Sequence, residues 1–205
     1  MQNINGWWLP AKESHLGRFI RTTGEYQKPH RDHALSHVKN WDVALDVGAH
    51  VGLWARDLCS RFGHVHCFEP VAEHRECFVK NITADNFTLY PVALGESDGM
   101  VKMAIDPENT GGTHIDQVVV GDIPMKTLDS YGFEKVDFIK IDCESYEVNV
   151  LKGGAETLKR CKPIICIEQK PHKWFGHGQY DGSKYLFEIG AKYLGNYADD
   201  LCFGW

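Results

Sequence analysis

No stretch of this 205-residue chain approaches the ~18 consecutive apolar residues that a membrane-crossing helix needs. Nor does its opening, MQNINGWWLPAKESH, show the basic-then-apolar layout of a secretory leader. Positive charge is scarce too: 22 Lys and Arg against 28 Asp and Glu give a net charge of -6. That balance offers no general attraction to phosphate backbones or anionic lipid, so neither nucleic acid nor a membrane is the expected partner. The seven cysteines form no CxxC pair and no metal-like spacing, and Cys166 lies inside the apolar run IICIE. They read as reduced, mostly buried thiols of a soluble cytoplasmic protein, not as a disulfide framework. Repeats, low-complexity tracts and linkers are absent as well, which leaves one sizeable core.

What the chain does have is an alternation of apolar runs and helical periodicity. Residues 1–40 are polar and weakly periodic; Leu16, Phe19 and Ile20 fit one short helical face, and Ala34, Leu35 and Val38 another. They are expected to form an N-terminal helical arm, with Trp7 and Trp8 either anchoring it or closing as a lid over substrate. Residues 41–205 read as the main domain. Strands are predicted at VALDVG (43–48), HVHCFEP (64–70), FTLYPVAL (87–94), VDFIKID (136–142) and PIICIE (163–168). Helical patterns fill 51–62, 72–82 and 148–158, with a short one at 185–189. VKMAI (101–105) and QVVVGDIPM (117–125) read as further strand-like pieces, and 191–197 with 200–204 as a terminal hairpin. This rhythm implies an α/β fold, a mostly parallel sheet with helices on both faces.

The stretch LDVGAHVG places Gly48 and Gly52 where the first of these strands turns into a helix. Glycine permits close backbone approach there, and a helix N-terminus offers free N–H donors. The spacing lacks the full G-x-G-x-x-G fingerprint of dinucleotide sites. Glu69 ends the second strand 21 residues after Gly48, where doubly wound folds set an acid against ribose hydroxyls. Together they suggest a nucleoside cofactor. With Asp46 adding a second acid and no pyrophosphate cradle, S-adenosylmethionine, which carries an ammonium and a sulfonium, suits the site better than NAD.

In order and spacing, LDVGAHVGLWA, HCFEP, LYPVALGESDG, KTLDSYGFEKVDFIKIDCESYEVNVLKGG and PIICIE resemble the FkbM-type S-adenosylmethionine-dependent methyltransferases, over roughly residues 41–170. The resemblance implies a Rossmann-like class I methyltransferase fold, with a seven-stranded, mostly parallel sheet whose last hairpin inserts an antiparallel strand. It implies O-methylation of a sugar or other small-molecule hydroxyl. A nucleic-acid or protein acceptor, a non-catalytic cofactor-binding module and an NAD-linked enzyme remain alternatives. Carried over by position, Asp46, Gly48, Ala49, His50 and Gly52 would surround the methionine end of the cofactor. Glu69 would bind the ribose, Pro70 and Val71 would line its edge, and Val92 and Ala93 would lie near adenine or sulfonium. The loop at 110–114 would cover the site. One departure stands out: the family commonly reads IDxEG, and here Ser145 replaces the Gly.

Asp142 and Glu168 end the fourth and fifth strands, with Gln169 next to Glu168. Adjacent parallel strands deliver their C-terminal ends to one crevice, so these groups should converge beside the cofactor. Three readings are open. Asp142 or Glu168 acts as general base; Asp142, Glu168 and Gln169 hold Mg²⁺ or Ca²⁺ through hard oxygen ligands; or the acids orient the cofactor ammonium and cap the next helix. Glu144 and Glu147 suit that helix's first turn, where negative charge is favoured. Lys140, mid-strand, is expected to reach an acid. His172 is a further catalytic candidate, with His177 and His114 behind it.

Overall fold

The computed structural model describes residues 1–116, 121–170 and 175–205. Part of the predicted piece at 117–125 lies outside them. The chain opens with a small hairpin, β1 (Gln2–Ile4) and β2 (Trp7–Leu9), followed by α1 (His15–Thr23) and α2 (Lys28–Leu35). Then come β3 (Val43–Val47), α3 (Ala55–Arg61), β4 (His64–Phe68), α4 (Ala72–Asn81) and β5 (Phe87–Tyr90). Short strands β6 (Ala93–Leu94), β7 (Gly99–Val101), β8 (Met103–Ala104), β9 (His114–Ile115) and β10 (Ile123–Lys126) form an excursion. The chain continues with β11 (Phe138–Ile141), α5 (Glu147–Gly153), α6 (Ala155–Cys161) and β12 (Ile164–Glu168). It ends with α7 (Asp181–Glu188), β13 (Lys192–Tyr197) and β14 (Asp200–Gly204).

Seven strands form the main sheet in the order β13-β14-β12-β11-β3-β4-β5. Every pairing from β12 through to β5 is parallel, and β14 pairs antiparallel on both sides. The strand order reverses between β3 and β11, and in open α/β sheets the crevice at such a switch point is where ligands bind. Because side chains alternate, each strand serves two cores. Ala44, Val65, Cys67, Phe138 and Cys166 face α2, α3 and α4, whereas Leu45, Val47, Ile139, Ile141 and Ile167 face α5, α6 and α7. Phe138, with no exposed surface, lies 6.4 Å from the Trp54 ring and 6.0 Å from that of Phe62. Burying such a ring contributes about 1.5–3 kcal/mol.

Two differences from the sequence reading have local causes. FTLYPVAL is not one strand: Pro91 has no N–H for the ladder, and β6 leaves the main sheet to pair with β10 instead. The helical pattern over 148–158 divides into α5 and α6. A Cβ on Gly153 would lie 1.9 Å from the Gly95 carbonyl, so the helix runs against bare backbone there, and Gly154 separates the two segments.

The arm is not purely helical, since it begins with the hairpin. Trp7, Leu9, Leu16 and Ile20 pack with Val51, Leu53 and Cys77, and the Trp8 N–H donates to Asn81 Oδ1 at 2.7 Å. Phe19, expected on the buried face, is 45% exposed.

Candidate active site

At the switch point the β3–α3 turn folds tightly onto its neighbours. Gly48 and Ala49 both donate their N–H groups to the Phe68 carbonyl, each at 3.1 Å. Gly48 has φ 78°, and a Cβ there would lie 1.9 Å from the Asp142 carbonyl. Only glycine lets these two strand ends close up. Asp46, one turn of the pleat earlier, has no exposed surface, and neither of its carboxylate oxygens has a hydrogen-bond partner. Burial, opposed by Lys140 and reinforced by Asp142, pushes it up to about 6.

Glu69 is buried at the end of β4 and braces the turn. Its Oε2 accepts the His50 N–H at 2.9 Å, and its Oε1 accepts the Val71 N–H at 2.8 Å beside His74 Nδ1 at 3.1 Å. Above it runs a second chain of contacts. Glu13, in the arm, accepts both the Thr110 N–H at 2.6 Å and its hydroxyl at 2.5 Å. The Thr110 oxygen is thereby left to accept from His50 Nε2 at 2.9 Å. Burial, with His74 and Lys140 nearby, holds His50 well below the usual imidazole range, so it is neutral. The arm and the loop at 110–114 are thus tied together over the turn.

The ends of β11 and β12 supply the charged wall. Lys140 is buried, with Nζ 3.2 Å from Asp142 Oδ2, 3.9 Å from Asp46 Oδ1 and 3.4 Å from the Gly48 carbonyl. Burial alone would discharge this ammonium; Asp142 and Asp46 outweigh it and hold Lys140 above its ordinary range. Asp142 is disfavoured as an anion by burial, yet Lys140 and Lys170 keep it below the usual carboxylate range.

Carboxylate oxygens of Asp142, Glu144 and Glu168 lie within 4.8 Å of one another. Burial and the Asp142 charge push Glu144 up to about 7 and Glu168 well above its ordinary value. Lys170 Nζ sits 2.5 Å from Glu168 Oε1, while Glu168 Oε2 is buried without a partner. Tyr26, between α1 and α2, completes this wall, its hydroxyl pushed up to about 12 by burial and by Asp142.

The turn, the loop and the charged wall border one cleft of about 520 Å³, with Glu13 behind the loop. Of the residues singled out from sequence, Asp46, Gly48, Ala49, His50, Glu69, Pro70, Val92, Ala93, Asp142 and Glu168 line it, as does the loop at 110–114. Gly52 does not; it packs against Phe78 of α4 and Ile82 just after it. Gln169 is turned away from the acids, its Oε1 accepting from the Ser183 N–H and hydroxyl at 3.1 and 2.8 Å. Glu144 takes its place, in left-handed backbone (φ 47°) just before α5. Glu147 keeps the structural role expected of it, accepting the N–H groups of Cys143 and Ser145. His177 lies against Asn149 Oδ1 at 3.0 Å on a separate, smaller cavity. His172 lies outside the described residues. Tyr26 and Glu13 had no sequence signal, since their segments lack periodicity and reach the cleft only through tertiary packing.

The strand order, the glycine turn at the switch point and the antiparallel strand inserted by the last hairpin define a class I methyltransferase fold. A family model, the methyltransferase FkbM domain, matches residues 46–193, and the chain belongs to that family. It is 28% identical over 139 residues to hexuronic acid methyltransferase AglP of Haloferax volcanii, an alignment covering 64% of this chain and 57% of the relative. Among solved structures, the methyltransferase FkbM of Methylobacillus flagellatus KT superposes with TM-score 0.59 at 15% identity, over 93% of this chain and 52% of that one. The magnesium protoporphyrin IX methyltransferase of Synechocystis PCC 6803, solved with bound S-adenosylmethionine, superposes with TM-score 0.51 at 10% identity, over 92% and 82%. The chain thus spans little more than half the length of its FkbM and AglP relatives. Among the described residues no helix is long and apolar enough to cross a membrane.

Proposed function

We propose that the chain is an S-adenosylmethionine-dependent O-methyltransferase acting on a hydroxyl of a sugar or another small molecule. One observation carries this reading: the glycine turn with Glu69 and the acid ends of β11 and β12 open into the same cleft. The residues present suit the cofactor. Asp46 has two buried oxygens without donors, and Glu69 Oε2 accepts one N–H and keeps a free lone pair for a ribose hydroxyl. The Asp142 carboxylate, kept ionised in the cleft wall, favours a ligand that carries ammonium and sulfonium charges. The hexuronic acid methyltransferase relative supports a sugar-type acceptor.

Bound there, S-adenosylmethionine supplies an electrophilic methyl group. The protein's task is then to hold an acceptor oxygen in line with it and to take the hydroxyl proton. Positioning carries much of the acceleration. Asp142 suits the base role because Lys140 and Lys170 keep it ionised at neutral pH, and a positioned base adds about 10²–10⁴-fold. Glu168, held well above its ordinary value by burial and by the Asp142 charge, is the weaker candidate for that role.

Calorimetry with S-adenosylhomocysteine tests the cofactor reading: binding is expected with it and not with NAD, and the reverse result would overturn the proposal. Asp142→Asn should lower turnover with little change in cofactor affinity. Glu168→Gln, which keeps a neutral group in place, should have the milder effect on turnover.

A second reading has its own support. Three carboxylates within 4.8 Å, one with a partnerless buried oxygen, suit a hard divalent cation such as Mg²⁺. Lys170 already occupies part of that charge, which favours the base reading. EDTA followed by Mg²⁺ add-back decides between them, since activity indifferent to both removes the metal.

A further inference from the structure

A second cluster lies on the α2 side of the sheet, away from the cleft. His33 of α2 and His37, in the turn that follows it, each place one ring nitrogen within 4.8 Å of the other's and of Cys202 Sγ in β14. The two rings meet edge to face, their centroids 5.1 Å apart. In both rings Nε2 is buried and has no hydrogen-bond partner. A buried nitrogen left unpaired is costly, so two of them facing a buried thiol call for a ligand. The backbone has made room for it: Gly195 pairs with Cys202 across β13 and β14, and a Cβ there would press on His33 Cε1 and Nε2 at 3.3 Å.

We propose that His33, His37 and Cys202 bind a zinc ion that staples the N-terminal arm to the C-terminal hairpin. Two imidazoles and a thiolate are the donor set for a borderline-soft cation, and they exclude the hard Mg²⁺ or Ca²⁺ considered for the carboxylates. Tetrahedral zinc sets its donors about 3.3–3.7 Å apart, so donors already within 4.8 Å of one another need only a small side-chain adjustment to bind it. The Cys202 thiol gives its proton to solvent as the Zn–S bond forms. Cys166, paired with Cys202 on β12, stands next in line as fourth ligand, with water as the other occupant of that position.

The same cross-strand row continues from Cys166 to Lys140 and from Lys140 to Asp46. Tyr26, which lines the cleft, lies just before α2. Zinc would therefore fix the helix that delivers Tyr26 to the candidate site.

Metal analysis of the full chain purified without chelator, followed by stripping and zinc add-back, is the test. One zinc per chain is expected, with a melting temperature that falls on stripping and recovers on add-back. Cobalt(II) in its place should give thiolate charge-transfer absorption and tetrahedral visible bands, which no carboxylate site produces. Cys202→Ser should abolish the charge-transfer band. His37→Gln, at a half-buried position that folding tolerates better, should weaken zinc binding more than about 100-fold. A melting curve indifferent to zinc, a cobalt spectrum without thiolate absorption, or unchanged affinity in His37→Gln would each overturn the site.

Discussion

The Lys140 ammonium lies 3.2 Å from the Asp142 carboxylate, inside a strand whose neighbours on the same sheet face are apolar or acidic. Its stem also brings Nζ to 5.8 Å from the Trp54 ring. A lysine here is costly to bury alone, and Asp46 and Asp142 are costly to bury without it. Lys140→Met should therefore destabilise the fold by about 3 kcal/mol, the low end for a broken buried pair because Asp142 keeps 21% of its side chain exposed. Urea unfolding measures this. A loss below about 1 kcal/mol would mean the pair contributes no more than an exposed one.

Stability should fall as pH rises from about 6.5 to 8. Burial pushes Glu144 and Glu147 up to about 7, against about 4.3 in the unfolded chain. Between those values the folded state holds more protons than the unfolded one, so the contribution is full at low pH and is lost through pH 7. His37, His50 and His66 are lowered, and they cost stability only below about 6.5, where the unfolded chain takes up protons. Glu168, held well above its ordinary value, adds to the same slope, so the carboxyls govern the upper window with a loss of at least about 1.5 kcal/mol. Glu147→Gln keeps an oxygen for the Cys143 and Ser145 N–H groups and should make that slope measurably shallower. Chemical denaturation at several pH values reads it directly, and stability rising over this window would contradict the assignment.

Sequence makes the middle of the sheet legible because four of its parallel strands are short apolar runs with an acid, Gly or Pro at the C-terminal end: Gly48 after β3, Glu69 and Pro70 after β4, Asp142 after β11, Glu168 in β12. Those same residues mark the switch-point crevice, so most of the cleft followed from the strands. What sequence missed depends on contacts between distant segments. Glu13 reaches Thr110, Tyr26 reaches the acid wall, and His33 and His37 meet Cys202, all without local periodicity. Glu144 reads as a helix-start acid because the pattern cannot show that its backbone turns left-handed before the helix begins. Adjacency in sequence puts Gln169 with the acids, whereas Ser183 of α7 draws it away.

Glu69→Gln separates binding from bracing. The carboxylate holds two loop N–H groups and stands beside His74, and an amide retains only one acceptor oxygen. Leaving one buried donor unsatisfied costs about 1–3 kcal/mol. The expected outcome is a lower melting temperature together with S-adenosylhomocysteine affinity reduced at least tenfold, followed by calorimetry at a temperature where the variant is folded. Full affinity in a folded variant would remove Glu69 from the ribose.

Ser145 stands where the sequence resemblance leads one to expect Gly, and the backbone shows a cost. It adopts φ 83° next to Glu144 at φ 47°, is buried, and leaves its Oγ without a hydrogen-bond partner. A non-glycine residue in the left-handed region costs about 1–2 kcal/mol, against about 0.5–1 kcal/mol of unfolded-state entropy that glycine adds. Ser145→Gly should therefore stabilise the protein by about 0.5–1 kcal/mol, with removal of the orphaned hydroxyl adding to it. Ser145→Ala splits the two causes, because it drops the hydroxyl and keeps the strain. If thermal melts show alanine matching glycine, the strain relieved only offsets the unfolded-state entropy that glycine adds, and the hydroxyl is the whole net cost. If only glycine gains, backbone strain is what Ser145 imposes on the loop that carries Glu144 to Asp142.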